Sequence, residues 1–134
     1  MKNLSLNSIL RMIAAVLVGE FILVLGTTAA QEVLVGGLNW YTSSAWELIV
    51  GGVGSFLAAV LAGAAAFALV KQSTVLPIIL LSLLVILETI WLFQTGLAGD
   101  PVWFDLAGSA SLILGFWAGR WLLSWILQRK AVSL

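Results

Sequence analysis

Glu20 lies in the middle of the first apolar run of this chain, and no other residue there has comparable chemistry. It follows Arg11 by nine residues, so in a helix it sits about 13 Å beyond the arginine that marks the start of the run. A lone carboxylate in such surroundings is costly. It has to be protonated, paired with a cation or reached by water. Arg120 precedes Arg129 by nine residues on a run traversed in the opposite direction, so the same arithmetic puts it at a similar depth. A Glu20–Arg120 pair is therefore allowed. One reading makes Glu20 a proton- or cation-binding carboxylate. The plainer and preferred reading makes the pair a structural one that fixes helix register, with Arg120 partly snorkelling to the interface. Glu88 is seventeen residues past Lys71 and three before Trp91, near the far interface. It reads as a solvated or hydrogen-bonded helix-end residue, with a second intramembrane binding carboxylate as the alternative. Thr89 and Gln94 can share a polar cluster with it. Glu47 and Asp105 each open an apolar run, where a carboxylate suits a helix N-terminus, and both read as caps.

Composition removes most other chemistry. The 134 residues include no His and no Cys. Disulfides, thiol redox chemistry, His-ligated haem and the usual zinc and iron–sulfur sites are thus excluded. No metal, cofactor or catalytic residue is expected, and no nucleophile–base arrangement is present, so an enzyme is not expected. The formal net charge is zero, which leaves no basic field for nucleic acid. Only 9% of residues are charged and 62% are hydrophobic, with a mean hydropathy of +1.15. Soluble domains carry about 25% charged residues. A chain this small cannot hide the difference in a core, so its surface must face lipid.

The elements that position these residues are four apolar runs, at about 8–28, 47–70, 75–93 and 103–127. The fold expected is an all-α bundle of four transmembrane helices in a single domain. The second span is the packing spine: Gly51, Ser55, Ala59 and Gly63 fall in a row four apart, beside Gly54, Ala58, Ala62 and Ala66. Such rows let helix backbones approach in lipid. The fourth span has its own row, Ala107, Ser111, Gly115 and Gly119, able to meet the spine or a copy of itself. The long loop from Gln31 to Ala45 has room for a short surface helix. Pro77 suits the first turn of the third span. Trp40, Tyr41, Trp46, Trp91 and Trp103 read as interface anchors at one end, and Trp121 and Trp125 at the other. Trp103 and Trp125 are 22 residues apart, about 33 Å of helix.

All six basic residues, Lys2, Arg11, Lys71, Arg120, Arg129 and Lys130, fall at one end or in the half of a span nearest it. Glu32, Glu47, Asp100 and Asp105 lie at the other. The positive-inside rule then puts both termini in the cytoplasm. The first run is read as a retained span and not as a cleaved leader, although Thr27-Thr-Ala-Ala30 faintly resembles a cleavage site. A weak parallel repeat relates Trp46-Glu-Leu48 to Trp103-Phe-Asp-Leu106.

Four stretches carry a resemblance: Ile9-Leu-Arg-Met-Ile13, the Gly/Ala-rich 51–66, Pro101-Val-Trp-Phe104 and Ala118-Gly-Arg120. The chain resembles a set of small four-span bacterial membrane proteins that has no established activity. Where that set often has His-Pro, this chain has Asp100-Pro101. Gly54-Ser-Phe56 is similar to a motif of the fluoride channels, but the Asn expected three residues earlier is Gly51, and that family is set aside. The small multidrug exporters share only a first-span carboxylate in kind. The expectation is a non-enzymatic structural or accessory subunit in a bacterial inner-membrane assembly. The alternative is a small homo-oligomeric transporter or channel using Glu20. The partners implied are lipid and either another membrane protein or further copies of the chain.

Overall fold

The structure, a computed structural model, describes residues 5–133. Lys2 lies outside the described residues. Four helices long and apolar enough to cross a membrane follow one another, and no strand occurs among the described residues. They are α1 (Leu6–Thr28), α2 (Ala45–Leu69), α3 (Leu76–Thr95) and α4 (Val102–Ser133).

Their ends have local causes. Ser5 caps α1 by accepting from the Ser8 N–H at 3.2 Å. Ser44 and Glu47 form a reciprocal capping box at α2: the Ser44 hydroxyl accepts from the Glu47 N–H, and the Glu47 carboxylate accepts from the Ser44 N–H. Pro77 stands in the first turn of α3, where its missing N–H costs nothing, and Gly96 ends that helix in the left-handed region at φ 69°.

Two elements run further than the sequence implies. Past Thr28, α1 continues as a π-helical segment, Ala29–Val33, so Gln31 is helical and not part of a loop. The fourth helix extends beyond 127 to Ser133, because no Gly or Pro interrupts it and the Arg129 guanidinium lies 4.0 Å from the Trp125 ring one turn back. The long loop holds no surface helix. Asn39 instead organises a turn, its side-chain oxygen accepting from the Tyr41 and Thr42 N–H groups at 2.9 and 3.2 Å.

Glycine contacts fix the helix pairing. In α1 and α2, Gly26 faces Ala58 while Ala30 faces Gly54, so the two run antiparallel. In α2 and α4, Gly115 lies against Ala59, Gly63 against the Phe116 backbone and Gly119 against the backbone of Val60 and Ala64, so these two run parallel. A Cβ at Gly63 or Gly119 would collide with the neighbouring main chain. The small-residue rows of α2 and α4 thus meet each other at Ala59 and Gly63 against Gly115 and Gly119, from mid-span towards the end that carries the termini. The fully enclosed apolar residues Ala15, Ala59, Ala62, Ala66, Ile78, Leu81 and Phe116 gather from mid-bundle towards the termini. On the outer faces of the helices, Leu17, Leu61, Leu87 and Leu114 are exposed, one from each helix, as a lipid-facing surface requires.

The end of the bundle that carries the termini also holds Arg11, Lys71, Arg129 and Lys130, with Arg120 in the nearer half of α4. The loop end holds Glu32, Glu47, Asp100 and Asp105.

Candidate functional site

The intramembrane charges do not meet as the depth arithmetic allows. Arg120 and Glu20 share a level but point to different neighbours. The Arg120 guanidinium carbon lies 5.2 Å from the Phe67 ring centroid and 5.9 Å from that of Trp117. Its Nε is buried and without a hydrogen-bond partner. Glu20 faces α3, where its side chain comes close enough to interact with that of Glu88. Glu20 Oε2 is also buried with no hydrogen-bond partner. The Glu20–Arg120 ion pair is therefore not formed. The reason is angular: residue counting fixes height along a helix, whereas the face is set by which helix lies alongside.

Glu88 is exposed, twelve residues along α3 from Leu76, or about 18 Å into the span. It continues the stripe of Leu81 and Val85 on α3 and lines a groove with Ser109 and Leu112 of α4, two turns short of the helix end. Two carboxyls that face each other in low dielectric repel when both are charged. Neutrality then requires a proton, a bound cation or a basic group from outside the chain. Gln94 makes no side-chain hydrogen bond to Glu88, and Thr89 turns the other way, towards Ser109.

A second polar region lies at the loop end, and the sequence reading missed it. There α2, α3 and α4 splay apart around a cleft of about 430 Å³. The close α2–α4 crossing stops at Gly115, and beyond it the α4 row continues with Ser111 and Ala107 into the cleft wall. Gly52 and Gly108 also line it, and a Cβ built on either would meet no atom within 4 Å. Gly51, by contrast, is covered by Leu38 from the long loop.

Three polar arrangements line this cleft. Gln31, carried inward by the π-helical segment, donates from Nε2 to the Ser55 hydroxyl at 2.8 Å. Thr89 and Ser109 join α3 to α4 through a 2.6 Å hydroxyl–hydroxyl hydrogen bond. Asp100 accepts from the Trp40 N–H at 2.8 Å, tying the long loop to the entry of α4. Above them Trp40 packs edge-on against Trp103, with ring centroids 4.6 Å apart, and against Phe104 at 5.4 Å. Asp105 stands in the first turn of α4, as a cap would, yet its Oδ2 is buried without a hydrogen-bond partner. No lysine or arginine lines the cleft. A shallower groove between α3 and α4 carries Glu88, and the Thr89–Ser109 pair forms the wall it shares with the cleft.

The signal for this region was spread over distant positions. Gln31, Ser55, Thr89, Asp105 and Ser109 come from every helix of the bundle, and no single motif holds them together. The aromatic positions are distributed between the two ends: Tyr41, Trp46, Trp91 and Trp103 are exposed at the loop end, and Trp121 and Trp125 at the other, with their rings stacked 6.5 Å apart. No group of three or more potential metal ligands occurs among the described residues.

Comparison with protein-family models, with curated proteins and with solved structures finds no match to this chain. Four apolar helices define a small multi-pass integral membrane protein. The resemblance drawn from the sequence is supported at that level of architecture.

Proposed function

We propose that this protein is a non-enzymatic subunit of a larger assembly within a bacterial inner membrane, joined to its neighbour through the face shared by α1 and α3. The observation that carries this reading is Glu88, an exposed carboxyl in an open groove close to Glu20, whose Oε2 has no hydrogen-bond partner. Lipid offers neither carboxyl a hydrogen bond. A neighbouring transmembrane segment with a donor or a basic group would supply one. Basic residues at the end that carries the termini support a cytoplasmic placement of both.

Glu88→Leu tests the reading. It should turn a complex of fixed stoichiometry, isolated in mild detergent, into the free chain while the helical content is kept. An unchanged complex would count against the α1–α3 face as the contact.

A second reading, a small homo-oligomeric transporter, draws on a different observation. The cleft and the Glu88 groove share Thr89 and Ser109 as a common wall, so polar groups run from the loop end towards the middle of the membrane. Proton-dependent flux in vesicles that is lost in Glu20→Gln, with the fold retained, would favour it.

A further inference from the structure

We propose that the loop-end cleft is a binding site for a small organic ammonium group, independent of the α1–α3 face. Two carboxylates line the cleft and no basic residue balances them. Asp100 has one oxygen engaged by the Trp40 N–H. Asp105 has Oδ2 buried and unsatisfied. A buried acceptor of this kind is normally matched by a donor, and a cationic donor makes the stronger bond.

Size narrows the class. About 430 Å³ exceeds what a bare ion needs and falls within the range of small-molecule pockets. A compact inorganic cation also calls for convergent oxygen ligands, and no group of three or more potential metal-ligating residues is found among the described residues. The remaining lining suits an amphiphilic ligand. Leu48, Leu92 and Leu112 offer apolar contact, and Phe104 presents an aromatic surface beside Asp105. Around them the hydroxyls of Ser55, Thr89 and Ser109 are already paired with side-chain partners, so they accept a ligand without demanding one. Gly52 and Gly108 keep the walls free of side chains. An ammonium group on a short apolar body fits this arrangement: its charge towards Asp105, its body against the leucines. The same chemistry is offered by a free amine and by the headgroup of phosphatidylethanolamine.

The test uses the purified full chain in dodecyl maltoside, which carries no ammonium group. Benzylammonium and its neutral counterpart benzyl alcohol are titrated by calorimetry and by tryptophan fluorescence, with empty micelles subtracted. Trp40 packs on Phe104, which lines the cleft, so its emission is the one expected to respond. Benzylammonium should bind about tenfold or more tightly than benzyl alcohol, the difference expected of one charge-assisted hydrogen bond. Asp105→Asn should remove that preference. Gly108→Leu, whose Cβ meets nothing within 4 Å and whose side chain occupies the cleft, should weaken binding of both probes with the fold intact. Displacement of benzylammonium by short-chain phosphatidylethanolamine would assign the site to lipid headgroups, and its absence would assign it to free amines; either result supports an ammonium site. Equal binding of the two probes, no binding of benzylammonium to the folded wild type, or an unchanged preference in Asp105→Asn would overturn the proposal.

Discussion

Glu20 and Arg120 show what a single position can and cannot reveal. The depth of each follows from counting residues to the nearest interfacial charge, and the structure keeps both inside the span. Their separation does not follow, because a 3.6-residue helix turns each side chain to a face that only the neighbouring helices define. Since Arg120 rests on Phe67 and Trp117 and not on Glu20, Glu20→Gln should leave the thermal midpoint of the detergent-solubilised protein unchanged or raise it. A true buried ion pair would respond the other way, by about 3–5 kcal/mol of destabilisation on losing one partner. The tight connection between α2 and α3 offers another residue-scale test. Lys71 and Gln72 both occupy the left-handed region, at φ 54° and 59°, where a Cβ is unfavourable. Gln72→Gly should stabilise the bundle by up to about 1 kcal/mol, measured by thermal or denaturant unfolding. Nothing in Lys71-Gln-Ser-Thr74 announces that conformation, since neither residue is a glycine or an asparagine.

At the scale of the helices, four apolar runs, their approximate ends and the small-residue rows were all legible, because length and spacing depend on local sequence alone. The partner of each row was not legible. It is decided by which backbones can approach, and here α2 and α4 approach only around Gly63, Gly115 and Gly119. Ser111, in the same row, turns into the cleft wall instead. Glycines that look alike in the sequence should therefore behave in opposite ways. Gly63→Val sets a side chain against the Phe116 backbone and should cost about 3 kcal/mol. Gly108→Ala meets nothing and should be neutral, or stabilising by up to about 1 kcal/mol through helix propensity. Unfolding of the two variants side by side checks the difference. The π-helical segment that delivers Gln31 to Ser55 was likewise invisible, since it depends on a contact with α2, 24 residues away.

Considered as a whole molecule, the bundle is tight at the end bearing its termini and open at the other. Its basic residues collect at the tight end and its acids, apart from Glu20 and Glu88 within the spans, at the open one. The chain has no cysteine, so single cysteines report on orientation without interference. Ser133→Cys should react with a membrane-impermeant maleimide only after cells are opened, and Gly99→Cys should react in intact cells. The reverse pattern would invert the orientation argued from charge. The central claim concerns the α1–α3 face, where Glu88 lies exposed beside Glu20. Its most direct test is native mass spectrometry of the wild-type protein and Glu88→Leu, each released gently from its own membrane. A complex of fixed stoichiometry is expected for the wild type and the free chain for the variant. A wild-type protein that flies as a bare monomer, indistinguishable from Glu88→Leu, would contradict it.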